Sequence, residues 1–364
     1  MSVITYNNVK AALVKGSTWG TEADVTSGGI KLQASSIKVN ATYSDFTPRD
    51  FGFSGFKTNT ARLALNAGVD ITADFIYGGA GWLAIAAFFM GTESTPSEQT
   101  ASQTDYLSNI DLAESIDNLF FSLMYSIETD RTIAMYSVKP YEMTLTIPLN
   151  APATVNFKCL ADRVVEGSAN TVSEIAALTS YEYESAILGS FSGTNHYFRI
   201  KDYSTGVSLS STHDKSITDL TLTIRRPLNP KHGLNGANSG YIQQPRQTGL
   251  IDGTLKVGYD RLDNSTWDLL AEWESPSFKM AEFFIDGTQI GTGVNRSYKL
   301  QMPYLKVNGD LPLGHDVQSN NGEFLPSITY NMHYTEIAAS GMSSVLNYMR
   351  MVAISKTRST KWTA

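Results

Sequence analysis

A chain of 364 residues, 42% of them hydrophobic, has room for two domains and a sizeable core, and its composition is not that of a disordered protein. Charged residues are only 17%, and a formal net charge of -7 argues against a dedicated nucleic-acid binder, whose footprint would be basic. The single cysteine, Cys159, excludes an intrachain disulfide and a cysteine metal site, and its alternating run with Val155 and Phe157 marks it as a small buried apolar residue.

In chain order, residues 1–25 read as an N-terminal arm, turn-rich around Lys15–Thr21 and anchored by Trp19. Met1–Asn8 has neither the charged start nor the apolar core of a signal peptide, so none is expected. A first β module spans 26–165, with strands expected at 30–33 and 37–39. A long loop, 40–62, follows, carrying Tyr43, Phe46, Arg49, Phe51, Phe53 and Phe56. Loops of that length in compact domains usually have a function, and so many aromatics call for a covering partner. A strand at 64–75 leads through Gly78–Gly81 into a short helix, 82–90, headed by Trp82 and capped by Gly91. That helix is apolar all round, too short to span a bilayer, and is expected to be buried between a sheet and a neighbouring subunit. The polar stretch 92–117 reads as an insertion, and strands follow near 118–128, 133–137, 141–147 and 154–160.

A linker, 166–195, contains one helical segment at 172–178. A second module, 196–340, repeats the plan, and a C-terminal arm, 341–364, ends the chain. Its strands are expected at 197–200, 220–224, 250–259, 278–285, 298–307 and 328–334, with a long loop at 225–247 and a helix at 267–274. The repeat is visible as Gly68–Phe75 running into Trp82, matched by Gly253–Asp260 running into Trp267 at the same Gly-to-Trp spacing. Aligned without a gap, Ile37 and Val39 fall opposite Leu222 and Ile224. The expected fold is therefore mainly β: two tandem β-sandwich or split-barrel modules, each with one short α-helix.

Signatures of catalysis are missing. There is no GxxxxGK[ST] or GxGxxG loop, no nucleophile elbow of the right spacing, and no HExxH or close pair among the five histidines. No catalytic, cofactor or metal residue is assigned, and the chain is not read as an enzyme. The stretch 220–251 is free of acids and carries Arg225, Arg226, Lys231 and Arg246 beside Tyr241. The tail after Glu336 carries Arg350, Lys356, Arg358 and Lys361 without acids. These basic segments either dock onto acidic surfaces of neighbouring copies or are simply solvated; a DNA-binding role for the loop comes third, since it lacks the density of bases such binding needs.

The start Gly20-Thr21-Glu22-Ala23 after a short arm, the strand–long loop–strand pattern, and the glycine leading into a Trp-led helix, all in a doubled plan, resemble the major tail tube protein of long-tailed (siphovirus-type) bacteriophages in its two-domain form. The resemblance covers roughly 20–340 and is one of layout. It implies a structural virion protein of the phage tail, assembled in the host bacterial cytoplasm. Trimeric, pseudo-hexameric rings would stack into a hollow tube through which DNA passes on ejection. It implies the loops 40–62 and 225–247 as inter-ring contacts, and Trp82 and Trp267 as equivalent helix anchors outside an inner barrel. Implied partners are further copies of the chain, a tape measure protein inside the lumen, a tail terminator, distal tail or baseplate proteins, and genomic DNA in transit. Roughly 24 strands at ~4.8 Å, tilted ~40°, would close a barrel about 48 Å across, wide enough for duplex DNA. A net negative lumen would keep phosphates off the wall. The competing reading is a carbohydrate- or receptor-binding β-sandwich, a decoration or baseplate component in which Tyr43, Phe51, Phe53 and Tyr241 stack on ligand; a glycoside hydrolase with an acid pair is a third.

Overall fold

The computed structural model describes residues 10–46, 61–75, 81–101, 105–126, 131–148, 151–166, 169–178, 196–232, 240–259, 274–308, 327–342, 348–355 and 360–363. The protein is mainly β. Its first half holds β1 (Ala11–Lys15), β2 (Ile30–Leu32), β3 (Ser36–Phe46), β4 (Ala61–Asp74), α1 (Trp82–Met90), β5 (Gly91–Glu93), β6 (Ser97–Glu98), β7 (Tyr106–Leu112), β8 (Phe121–Ser126), β9 (Thr132–Pro148), β10 (Thr154–Ala161), β11 (Arg163–Glu166) and α2 (Val172–Ala177). The second half holds β12 (Tyr197–Asp202), β13 (Ile217–Arg225), β14 (Leu228–Asn229), β15 (Arg246–Gln247), β16 (Asp252–Tyr259), β17 (Phe278–Gly291), β18 (Val294–Asn308), β19 (Ser327–Met332) and β20 (Arg350–Ser355).

All pairings are antiparallel, and the two halves pair in the same order. In the first, β3, β4, β10 with β11, β9, β8, β1 and β2 lie side by side. In the second the sequence is β13, β16, β19 with β20, β18, β17 and β12. A bridge from Arg199 to Asp214 stands where β2 stands in the first half. Alternation sets the faces: Val155, Phe157 and Cys159 point into the core with Val69, Ile71 and Ala73, while Asn156 and Lys158 point out.

Two expected strands, 133–137 and 141–147, are one. The strand β9 runs through Pro140, which lacks an N–H and is normally kept out of strand interiors. It is tolerated where β9 changes neighbours. Residues 132–138 pair with β8 and 139–146 with β10; Ser137 takes φ 52°, and the register slips beside Lys158 and Cys159. In β18, Pro303 occupies the same place, next to the slip between Lys279 and Ala281. Lys139-Pro140-Tyr141 and Met302-Pro303-Tyr304 are thus the switch points of the two halves.

Four further expectations change. The long loop starts after Phe46 rather than at Asn40, because β3 and β4 form an extended hairpin. The insertion is not a polar excursion: its β7 pairs with β20 over six residues, and Arg350 grips Asp111 through Nε at 2.5 Å and Nη2 at 2.8 Å. The repeat is offset by one residue from the glycine alignment. Ile37 pairs with Ile71 and Leu222 with Leu255, which places Gly253 opposite Val69 in role, on the core face, whereas Gly68 lies on the outer face. A Cβ on Gly253 would stand 2.7 Å from Met332 Sδ.

The fourth concerns α1. All nine of its residues are buried, and the chain itself covers them. Trp82 forms a three-ring cluster with Phe75 (4.6 Å between ring centroids) and Tyr298 of the second half (5.4 Å), which also meet each other at 4.8 Å, so the helix fills the junction of the two halves without a neighbouring subunit. Gly91, in the left-handed region at φ 98°, ends the helix as expected. The second short helix of the chain, α2, begins at a capping box between Thr171 and Glu174 and buries Ile175. The helix expected at 267–274, with Trp267, lies outside the described residues apart from Glu274.

Candidate assembly surface

The halves are joined twice. In the main sheet β13 pairs with β9 from Asp219–Pro148 to Arg225–Glu142, so the sheet passes without a break from one half to the other. The second join is the β7–β20 pairing. In its own half β3 holds the position that β13 holds in the second, yet among the described residues no strand pairs with its outer edge.

Two buried cations secure the junction. Arg226, fully buried, donates from Nε to Phe89 O (2.9 Å) and from Nη2 to Met90 O (3.0 Å) and Ala113 O (2.7 Å). A positive charge against the last carbonyls of α1 complements the helix dipole, which has no basic residue of its own in its last turn. Burial pushes the guanidinium down to about 10. Lys139, also fully buried, donates from Nζ to Pro245 O (3.0 Å), and burial lowers it to about 8.

These contacts relocate the second long loop. Arg226 is not an outward docking group: it is withdrawn into the core, and an inter-ring role for its side chain is overturned by that burial. Arg225 is the last residue of β13 and points to the outer sheet face. Beyond it, β14 pairs with β15, His232 bridges to Ile242, Trp19 Nε1 donates to Ile242 O (2.7 Å), and Leu65 N donates to Gly240 O (2.9 Å). The described part of the loop is therefore a hairpin laid on its own first half. Tyr241 is half-buried under the Arg163 guanidinium (4.0 Å to the ring centroid), while Lys231 and Arg246 remain exposed. In the first loop Tyr43 is exposed on β3, and the backbone of Phe46 closes that strand. Arg49, Phe51, Phe53 and Phe56 lie outside the described residues.

The sheet face turned away from the core is polar across both halves. One cross-strand row reads Ser36, Thr72, Asn156, Thr144, Thr223, Thr254 and Asn331, seven strands without a charge. The adjacent row reads Lys38, Asp70, Lys158, Glu142, Arg225 and Asp252, alternating in sign across six strands. Within it Lys158 Nζ lies 2.6 Å from Glu142 Oε1, and Arg225 Nε lies 4.0 Å from Glu142 Oε2. The hydrogen bond to Glu142 raises the Lys158 ammonium above its ordinary value.

Sequence reading missed Arg226 as a helix clamp, Lys139 as a loop anchor, and the alternating row. The Pro-Tyr pairs at 140–141 and 303–304 were a usable signal for the repeat. The row had none, because its members sit on six segments and become neighbours only through the register. Among the described residues no group of His, Cys, Asp and Glu could hold a metal ion, and no helix is long and apolar enough to cross a membrane. No family model and no curated protein matches the chain.

Proposed function

We propose that this chain is a structural subunit that associates head to tail with copies of itself into closed rings, which stack into a hollow tube. This is the role implied by its resemblance to the major tail tube proteins of long-tailed bacteriophages. The observation that carries the reading is the contrast between β13, paired with β9 inside the chain, and β3, in the same position with an outer edge that no strand among the described residues occupies. An open strand edge invites pairing with another chain, and a ring removes it. A heterologous contact repeated by rotation closes, and a chain with two like halves then fills two like places per subunit. On this reading the Ser/Thr/Asn face lines the lumen and passing duplex DNA is not bound specifically; a tape measure protein, a terminator and distal tail proteins would meet the tube inside and at its ends.

Electron microscopy of the purified protein, with light scattering across concentration, tests this. Rings or hollow filaments are expected. Discrete monomers at every concentration, together with retention on a glycan array, would replace the tube with the carbohydrate-binding reading.

A further inference from the structure

The outer sheet face carries five described cations, Lys38, Lys158, Arg225, Lys256 and Lys306, and five described acids, Asp70, Asp74, Glu142, Asp219 and Asp252. The balance departs from the net negative lumen expected above, and its arrangement is ordered. In the alternating row each of Lys158 and Arg225 has a carboxylate directly opposite on the strands to either side. Glu142 serves both cations at once, across the junction of the halves.

Strand spacing fixes the consequence. Neighbouring strands in the row are about 4.8 Å apart, and the whole row spans about 24 Å. The Debye length at physiological salt is about 8 Å, so opposite charges cancel within less than one screening length. A phosphate backbone approaching this face meets no run of uncompensated positive charge to displace its counterions, which is the source of non-specific nucleic-acid affinity. Nor does it meet a repulsive wall.

We infer that the alternating row is a self-neutralised track, on which the acids Asp70, Glu142 and Asp252 keep Lys38, Lys158 and Arg225 from holding a duplex nucleic acid that moves along the face. The inference rests on the tube reading for why DNA comes near, but its test does not, since it is read on the free chain. The triple variant Asp70→Asn, Glu142→Gln, Asp252→Asn uncovers three cations. A control with the same charge change, Glu98→Gln, Glu114→Gln, Glu336→Gln, removes exposed acids away from this face.

Binding of a fluorescent DNA duplex is measured by anisotropy from low to physiological salt. The wild type and the control should bind weakly. The track variant should bind at least about tenfold tighter at low salt, with log affinity falling against log salt at a slope of about -2.7 for three phosphates. Adding Lys158→Gln and Arg225→Gln to it should remove most of the gain. Should the triple variant misfold, Glu142→Gln alone uncovers Lys158 and Arg225, and a slope near -1.8 is expected. Wild-type binding as tight as the variant's, or a variant no tighter than the control, overturns the inference. Absence of rings by microscopy bears on the tube reading and leaves this result standing.

Discussion

The two switch points, Lys139-Pro140-Tyr141 in β9 and Met302-Pro303-Tyr304 in β18, show how one strand plan serves two environments. Each lets a long strand turn from one set of neighbours to another at a proline. In the first half the residue before the proline is a buried lysine that holds Pro245 O; in the second it is a buried methionine. The difference follows the junction. Among the described residues a loop segment is seen folded across β9, and the Pro245 carbonyl it brings there needs a donor. Equivalent positions in a repeat keep their backbone role while the side chain answers to whatever the other half places on top.

The hardest test of that comparison is at the helices. Trp82→Ala removes an aromatic packed against both Phe75 and Tyr298 and should lower stability by about 3–5 kcal/mol in urea unfolding. If the halves are equivalent here, Trp267→Ala should cost about as much; a loss confined to Trp82 would end the equivalence. Next in size is Arg226→Ala, which takes a donor from the carbonyls of Phe89, Met90 and Ala113, of which Met90 O keeps the Ala113 N–H at 2.7 Å. A loss of about 3 kcal/mol is expected, and a loss below about 1 would show that the clamp does not hold the junction.

The smallest effect contrasts the switch points directly. The buried Lys139 releases its proton near 8, well below its unfolded value of 10.5, so the unfolded chain binds more protons between those limits. Stability should therefore rise as pH climbs from 8 towards 10, by about 1–2 kcal/mol. It should fall again above 10, because burial raises the Tyr136 phenol to about 12 and the folded state keeps a proton that the unfolded state gives up. Lys139→Met, which makes the first switch point like the second, should flatten the rise and leave the fall. A rise that persists in this variant would assign it to another group.

Much of the architecture was legible in the chain. The alternating run 154–160, the Gly-capped apolar helix at 82–90, the helical segment at 172–178 and the doubled plan are local patterns, and local patterns survive folding because they report periodicity and backbone chemistry. The candidate surface was less legible. The loop residues were chosen for charge and aromaticity, yet Arg226 is in the core and Arg225 belongs to a sheet face. Composition does not reveal which carbonyls a helix end will present to a distant arginine.

The sequence by itself determined a mainly β chain with two like halves, one inward-facing cysteine and a buried Trp-led helix. Tertiary structure alone decided the one-residue offset between the halves, the use of α1 and Arg226 as the joint, and the alignment of six charges from six strands. The physical reason is register. Side-chain direction along a strand has a period of two, so a single-residue slip exchanges core for surface, and only the partner strand settles which way each residue points.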